Sequence, residues 1–310
     1  MDILIMLSLA LTVDLVLGEP PRPVHPVVWL GKAASFLERG GVGQPRSVQF
    51  VYGIGMSLFL VGLFTAAAYF ILFYFKSLSF VAYVIIGAVL LKSTFSLKEL
   101  RRVALRVKGF LLAEKLDEAR RELHSLVSRD TRSLSPSLVV SATVESVAEN
   151  SGDSFVAPLF YFLLFGVPGA IAYRVVNTLD AMVGYHGKYE YLGKFASRLD
   201  DVLNFIPARL TALLLVFASF LSGRGARVAW QVALSEHAKT ESPNAGWPMA
   251  AVAGALNVQL EKVGHYKLGR ADTPLTPATI DAALKLMLIS MLSWWLICFI
   301  KEVIRFAVTS

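Results

Sequence analysis

Long apolar runs alternate with shorter polar segments along the whole chain. The clearest of these runs covers residues 51–75 and contains no charged residue. As a helix with a rise of about 1.5 Å per residue it would reach about 37 Å, against a hydrocarbon core of about 30 Å. The pattern therefore predicts a tilted transmembrane helix, with further spans at residues 3–17, 78–91 and 284–300.

Two other apolar runs are less regular. Residues 155–176 are interrupted by the sequence GVPG at 166–169, where proline removes a backbone donor and glycine loosens a helix. This run could therefore form two half-helices of a re-entrant hairpin. Residues 205–221 include Arg209 one turn from the start. If both runs cross the membrane, the loop at 177–204 faces outside; if neither crosses, that loop stays on the side of the preceding basic segment.

The segment at residues 92–154 is hydrophilic and carries 11 lysine or arginine residues between positions 92 and 132. The positive-inside tendency places such a segment in the cytoplasm. Residues 97–127 have apolar positions at three- and four-residue spacing among charges, which predicts amphipathic helix. Both a membrane-surface helix and a helical hairpin fit this spacing.

These patterns predict an all-α, polytopic helical membrane protein with re-entrant or interfacial helices and a cytoplasmic amphipathic helical insertion at 92–154. We expect residues 1–310 to form a single integral membrane domain in the cell membrane. The composition agrees, because 55% of the residues are hydrophobic and only 17% are charged. The formal net charge of +7 comes from loops beside apolar runs, so nucleic acid is not an expected partner.

Familiar nucleotide-binding and metal-binding motifs are missing from the sequence. There is no phosphate-binding loop of the G-x-x-x-x-G-K-[ST] type and no complete G-x-G-x-x-G fingerprint. The histidines are scattered, and the single Cys298 lies within an apolar run, so neither a zinc site nor a disulfide framework is predicted.

Acidic residues occur instead at the edges of apolar runs. In the stretch SATVESVAEN at 141–150, helical spacing puts Glu145 and Glu149 one turn apart on one face, with Asp153 nearly in line. Like charges at this spacing repel unless a cation or a cationic substrate lies between them. A solvated acidic face is the alternative, but carboxylates at a membrane boundary are costly when they have no function.

Two more polar groups follow along the chain. The first comprises Asn177, Asp180, Arg198, Asp200, Asp201, Asn204 and Arg209. Helix capping by Asn177 and by Asp200 or Asp201 is the alternative to a functional role. Adjacent aspartates point in different directions on a helix, so at most one of the pair at 200–201 joins a given site. The second group is SPNAGWP at 242–248, which turn chemistry predicts to be a rigid loop.

Read together, these motifs resemble the CbiB/CobD family of cobalamin biosynthesis, the membrane-bound adenosylcobinamide-phosphate synthases. The resemblance covers nearly the whole chain through DLVLGEPPRPVHP, RDT, SATVESVAEN, VNTLDAMVGY, RLDD, NFIPARLTA and SPNAGWP, in that order. Glu241 departs from it, because many members carry a histidine before the SPNAGWP loop. No acid–base role is therefore expected at that position.

The resemblance implies a ligase that joins adenosylcobyric acid, a corrinoid, to aminopropanol or its O-phosphate by ATP-dependent amide formation. ATP and Mg²⁺ are the implied cofactors, and the lipid bilayer and other cobalamin-assembly enzymes are further partners. Catalytic roles are expected for Glu145, Glu149, Asp180 and Arg209, of which the three carboxylates are also the expected Mg²⁺ ligands. Substrate or ATP binding is expected of Asp14, His25, Arg129, Asp130, Asn150, Asp153, Asn177, Arg198, Asp200, Asp201, Asn244 and Trp247.

Two other functions compete with the ligase. One is a non-catalytic membrane sensor or regulatory protein of the same fold, like the AmpE-like proteins, but the intact polar motifs argue against lost catalysis. The other is a transporter, whose functional charges should lie in the middle of its spans. Here the longest run is uncharged and the polar motifs cluster at the ends of runs, which favours an enzyme.

Overall fold

A computed structural model describes residues 2–21, 23, 25–185 and 187–309. Met1, Arg22, Val24, His186 and Ser310 lie outside the described residues. Most of the described chain is α-helical. The helices are α1 (Asp2–Val16), α2 (Pro26–Gly41), α3 (Arg46–Leu78), α4 (Phe80–Lys92), α5 (Leu97–Leu112), α6 (Leu116–Leu123), α7 (Pro136–Ser151), α8 (Ala157–Val183), α9 (Lys194–Leu221), α10 (Ala226–Glu236), α11 (Gly246–Leu256) and α12 (Pro277–Thr309).

Shorter elements complete the described chain. A π-helical turn (Gly152–Val156) joins α7 to α8, and a 3₁₀ turn (His237–Lys239) follows α10. Two short strands, β1 (Gln259–Lys262) and β2 (Tyr266–Gly269), form an antiparallel hairpin in which Leu260 pairs with Leu268. Both leucines are fully buried. The sequence did not predict this hairpin, although the all-α fold class is confirmed.

Five helical segments among the described residues are long and apolar enough to cross a membrane, by length and composition. They are Arg46–Leu78, Phe80–Leu112, Pro136–Val183, Lys194–Leu221 and Pro277–Val308. The outer surface of α3 exposes large apolar side chains such as Phe59, Phe70 and Phe73. An exposed apolar surface of this kind suits lipid rather than water. The prediction of a polytopic helical membrane protein is confirmed.

The chain forms two compact units. Unit 1 consists of Met1–Ser96, Ala157–Asn204 and Cys298–Ser310, and unit 2 of Leu97–Val156 and Phe205–Ile297. Each unit is described by itself below. The assignment of residues 1–310 to one integral membrane domain stays a prediction.

In unit 1, α3 packs against α2, α4 and α8, while α1 packs against α4. One glycine makes a particularly close approach possible. A Cβ atom at Gly53 on α3 would collide with the backbone carbonyl of Leu192 in the segment before α9. Only glycine permits this contact, so the backbone of α3 lies directly against that segment.

The helix α8 is broken near its middle. Gly166 has φ 68° and ψ −162°, a conformation that glycine adopts without strain, and Pro168 follows it. The predicted interruption at 166–169 is therefore confirmed. Whether the two halves return to the same side of the membrane stays a prediction.

In unit 2, α5 and α6 pack together and against α7. Their apolar cluster contains Val107 from α5, Ala119 and Leu123 from α6, and Val139 and Ala142 from α7. The apolar spacing at 97–127 thus corresponds to two helices that share a buried face. The cytoplasmic location of the insertion at 92–154 stays a prediction.

The helix α11 is buried along its entire length and packs closely on α10. A Cβ atom at Gly254 would lie 2.8 Å from both the Cα atom of Ala229 and the carbonyl oxygen of Val228. Small residues therefore let the two helix backbones approach. The loop predicted at 242–248 is shorter than expected, because α11 begins at Gly246 and includes Trp247 and Pro248 in its first turn.

Candidate functional site

In unit 2, Glu145 on α7 is the centre of a hydrogen-bond network. Its Oε2 atom accepts hydrogen bonds from Arg129 Nη2 at 2.8 Å and from the Tyr266 hydroxyl at 2.9 Å. Its Oε1 atom accepts one from the Ser141 hydroxyl at 2.7 Å. The Glu145 side chain is only 4% exposed, and Arg129 is the cation that neutralises it. Both carboxylate oxygens are therefore engaged by protein groups.

The same network fastens the β-hairpin to α7. The Ser141 hydroxyl accepts a hydrogen bond from the backbone N–H of Glu261 on β1 at 2.8 Å while it donates to Glu145. Burial raises the pKa of the Tyr266 phenol above its usual value, and the negative charges of Glu145 and Glu149 raise it further. Tyr266 therefore stays protonated and remains a donor to Glu145 at physiological pH.

The other predicted polar residues of this stretch lie at the junction of α7 and the π-helical turn. The Asn150 amide donates to the Ser146 carbonyl at 2.9 Å, and its oxygen accepts from the Ser154 hydroxyl at 3.0 Å. Asp153 lies within the π-helical turn itself. Such turns occur frequently at functional sites. The expectation that Asp153 is nearly in line with Glu145 and Glu149 stays a prediction.

Arg209 on α9 lies among aromatic rings in unit 2. Its guanidinium carbon is 3.6 Å from the centre of the Phe205 ring and 5.0 Å from that of Trp247 on α11. Its Nη1 atom donates to the Phe205 carbonyl at 2.7 Å and to Asn244 Oδ1 at 3.2 Å. The structure therefore brings together three predicted residues: Arg209, Asn244 and Trp247.

In unit 1, a second carboxylate group lies between α8 and α9. Asp200 is 9% exposed, and it accepts hydrogen bonds from Asn204 at 2.9 Å and Asn177 at 3.4 Å. The hydroxyl of Tyr173 fixes the Asn204 amide by donating to its oxygen at 2.8 Å. Asp180 interacts electrostatically with Asp200 and accepts a hydrogen bond from Ser197. Neither aspartate forms an ion pair within the described part of the chain.

The alternative that these residues only cap helices is wrong. Asn177 lies well inside α8, and Asp200 and Asp201 lie well inside α9, so none of them occupies a helix terminus. The expectation that the adjacent aspartates point in different directions is confirmed. Asp200 faces the two asparagines, whereas Asp201 approaches the exposed Arg198 at 3.5 Å.

Asp130 pairs locally with Arg132 at the surface, with the shortest contact at 2.7 Å. Hydrogen bonds from the Arg132 side chain and backbone lower the pKa of Asp130 to about 2. Asp130 is therefore ionised at every physiological pH, and its neighbour Arg129 points instead to Glu145.

Asp14 and His25 belong to a buried charge network in unit 1. The ammonium of Lys92, which is nearly inaccessible, lies 2.9 Å from Asp14 and 2.7 Å from Glu19. His25 Nδ1 accepts a hydrogen bond from the Val27 N–H, so the Nε2 atom, 2.7 Å from Glu19, carries the ring proton. Both nitrogens of His25 are thus used by the protein, and His25 caps α2.

Glu19 has an unusually low pKa in this network. Burial alone would raise it, but hydrogen bonds from His25 and Lys92 outweigh that effect and lower the pKa to about 2. Glu19 and Lys92 were not among the predicted site residues. Their sequence signal was weak, since they are 73 positions apart and only the fold brings them together.

No group of three or more His, Cys, Asp or Glu side chains among the described residues is arranged to hold a metal ion. The predicted Mg²⁺ ligands are divided between the units, with Glu145 and Glu149 in unit 2 and Asp180 in unit 1. Mg²⁺ characteristically takes one or two protein carboxylates and completes its shell with water and substrate phosphates. Single carboxylates or pairs are therefore the donor sets that these residues can offer.

The chain matches the CobD/Cbib protein family over residues 7–287. The chain belongs to this family. A cobalamin biosynthesis protein CobD of Dehalococcoides mccartyi is 53% identical over 93% of this chain and 93% of its own length. A probable cobalamin biosynthesis protein CobD of Methanothermobacter thermautotrophicus is 43% identical over 93% of this chain and 94% of its own length. Another, of Methanocaldococcus jannaschii, is 37% identical over 94% of this chain and 98% of its own length. No solved structure matches this chain. Membership of the family supports a role in cobalamin biosynthesis.

Proposed function

We propose that this chain is a ligase in the cell membrane that joins adenosylcobyric acid to aminopropanol or its O-phosphate, using ATP. The names of its relatives support cobalamin biosynthesis, and its polar motifs support this step within it. The observation that carries the proposal is the Asp180–Asp200 pair. Two acidic side chains that lack an ion-pair partner among the described residues, one of them buried, are costly in a protein unless a cation or a cationic substrate uses them.

Amide formation from a carboxylate requires a better leaving group. We propose that an oxygen of the corrinoid propionate attacks the γ-phosphorus of ATP, giving an acyl phosphate and ADP. The amine nitrogen then attacks the acyl carbon, inorganic phosphate leaves, and the amide forms. Reactions of this kind are accelerated mainly by positioning and by stabilising phosphate charge.

The environments of the carboxylates divide the roles among them. Both oxygens of Glu145 already accept hydrogen bonds, so its proposed role is to hold Arg129, Tyr266 and the β-hairpin in place. Asp180 and Glu149 remain the candidate Mg²⁺ carboxylates, each in its own unit. When bound, Mg²⁺ would neutralise charge on the phosphates of ATP.

The amine must also lose a proton before or during its attack, because an ammonium group has no free electron pair. A carboxylate within hydrogen-bond reach of the amine can accept that proton. Asp200 is our candidate, since its described partners are amide donors that favour an acceptor at this position.

The direct test is turnover by the purified full-length protein. Adenosylcobyric acid, ATP, Mg²⁺ and aminopropanol phosphate are supplied, and amide product and nucleotide are measured. We expect amide and ADP in equal amounts, with no amide when ATP is omitted. Formation of AMP and pyrophosphate would refute the acyl-phosphate intermediate but leave the ligase assignment intact. Absence of amide with either amine would refute the ligase assignment itself.

A further inference from the structure

We propose that Arg209, Trp247 and Asn244 form a cradle that binds a phosphate group. We call these residues, together with Phe205 and His237, the Arg209 cradle. All of them belong to unit 2. The choice of ligands in the test below rests on the proposed function, while the cradle itself rests on the geometry.

Stacking fixes the plane of the Arg209 guanidinium. The guanidinium carbon lies over the Phe205 ring at 3.6 Å and over the Trp247 ring at 5.0 Å. The Trp247 ring is in turn stacked on His237, with centroids 3.9 Å apart and planes inclined by 22°. A guanidinium held by aromatic rings keeps its N–H groups in its own plane and available to hydrogen-bond acceptors.

The hydrogen bonds of Arg209 leave one of its edges unused. Its Nη1 atom has two hydrogens, and the Phe205 carbonyl and Asn244 Oδ1 accept them. The Nε and Nη2 atoms carry three more N–H groups, which have no acceptor among the described residues. Arg209 also lacks a carboxylate partner in the described chain. It is therefore a fixed positive charge with a free donor edge.

Trp247, which packs against Arg209, supplies a further donor. Its side chain is 9% exposed, and its Nε1 atom is buried without a hydrogen-bond partner among the described residues. Buried polar groups are normally hydrogen-bonded. Here the unpaired donor packs against a cation that has unused N–H groups of its own, and one acceptor group could serve both. The guanidinium carbon lies 5.0 Å from the centre of the Trp247 ring, so the indole and the cation pack against each other.

These donors identify the class of ligand. A fixed guanidinium edge and an indole N–H are all donors, and together they carry one positive charge. Phosphate offers several acceptor oxygens and is bound in a bidentate manner by arginine. Trp247 lies in the first turn of α11, where the helix dipole also favours an anion. The ligand group is therefore a phosphate, whether it belongs to ATP, to an aminopropanol phosphate or to a lipid headgroup.

The test measures binding to full-length protein in a maltoside detergent that contains no phosphate. Titration calorimetry compares inorganic phosphate, aminopropanol phosphate, unphosphorylated aminopropanol, a non-hydrolysable ATP analogue with Mg²⁺, and phosphatidylglycerol in mixed micelles.

Trp247→Phe keeps the stacked ring and removes only its N–H. Arg209→Lys keeps the charge and removes the planar donor edge. The control is Trp294→Phe on α12, another buried indole whose Nε1 atom has no partner among the described residues.

We expect Trp247→Phe and Arg209→Lys each to lower the affinity for at least one phosphate ligand about tenfold or more. Each substitution removes a hydrogen bond to a charged group. The control should bind as the wild type does, and unphosphorylated aminopropanol should be unaffected. The ligand whose affinity falls identifies the molecule that supplies the phosphate group. Unchanged affinities in both variants, or no phosphate binding by the wild type, would overturn the cradle.

The experiment distinguishes a failure of the cradle from a failure of the proposed function. If the cradle binds phosphate but the wild type makes no amide, the ligase assignment fails and the cradle stands. If the wild type makes amide while both variants bind every phosphate ligand normally, the cradle fails and the ligase stands.

Discussion

Glu145 in unit 2 and Asp200 in unit 1 are both buried carboxylates, but the protein surrounds them differently. Glu145 accepts three hydrogen bonds from side chains, one of them from the cation Arg129. Asp200 accepts hydrogen bonds from two neutral amides and has Asp180 beside it. The charge of Glu145 is thus neutralised within its unit, whereas that of Asp200 is not neutralised by any ion pair within the described residues.

This difference is the basis for proposing that Glu145 is a structural carboxylate and Asp200 a functional one. A neutralised carboxylate with both oxygens engaged stabilises the groups that it joins. A carboxylate pair without a cation raises the electrostatic free energy of the protein until a cation binds. Arg174 donates a hydrogen bond to the oxygen of Asn177 at 3.3 Å. We therefore propose a chemical role for the Asp180–Asp200 pair and a structural role for Glu145.

The largest effect is expected from Glu145→Ala. It leaves Arg129, whose side chain is 18% exposed, without the carboxylate that neutralises it. Breaking one partner out of a buried pair costs about 3–5 kcal/mol. The free energy of unfolding, measured by denaturant titration in detergent, should fall by that amount.

The matched control for Glu145→Ala is Glu99→Ala, which breaks the exposed Glu99–Arg102 pair on α5. Exposed pairs contribute only about 0.2–1 kcal/mol. If Glu145→Ala were no more destabilising than Glu99→Ala, the structural role of Glu145 would be refuted.

A pH titration sharpens the comparison, because unit 1 has its own neutralised network. The folded-state pKa of Glu19 is about 2, below its ordinary value of 4.5. A lowered carboxylate pKa contributes stability that is complete above about pH 4.5 and is lost as the pH falls towards 2. The shift corresponds to at most about 3.4 kcal/mol.

Thermal unfolding between pH 6 and pH 2 measures this contribution. In Glu19→Gln the titrating group is gone, so the loss of stability across that window should be smaller than in the wild type. Identical pH profiles for the two proteins would show that Glu19 does not hold its charge through Lys92 and His25.

The smallest effect is expected from Tyr266→Phe. The substitution removes one of the three side-chain donors to Glu145 and keeps the ring. A hydrogen bond to a charged group contributes about 1.5–3 kcal/mol, and we expect the lower end because Arg129 and Ser141 remain. Tyr69→Phe, at an exposed position on α3, is the control and should leave the melting temperature unchanged. Equal melting temperatures for all three proteins would contradict the network.

The helices could be predicted from the sequence because their signals are local. The run at 51–75 predicts a membrane span because it is long, apolar and uncharged. The GVPG sequence predicts a break in a helix because proline lacks a backbone donor and glycine loosens the helix. The Glu145–Glu149 spacing likewise placed both residues on one helix. These features depend on neighbouring residues only.

The partners of the carboxylates could not be predicted, because they depend on long-range packing. Tyr266 is 121 positions from Glu145, and nothing near it in the sequence marks it as a donor. Ser141 was within reach of prediction, since it lies one helical turn before Glu145. The β-hairpin was missed because each of its strands has only four residues, too few to show a clear alternating pattern.

The measurement that tests the central claim most directly is turnover by Asp180→Asn, together with its melting temperature. The substitution keeps the size of the side chain and an oxygen for Ser197, but removes the charge. We expect amide formation to fall by about a hundredfold or more. The melting temperature should equal or exceed that of the wild type, because the substitution relieves repulsion between two carboxylates. Asp117→Asn, at an exposed position on α6, should keep full turnover. Near-normal turnover in Asp180→Asn would contradict the assignment of chemistry to the Asp180–Asp200 pair.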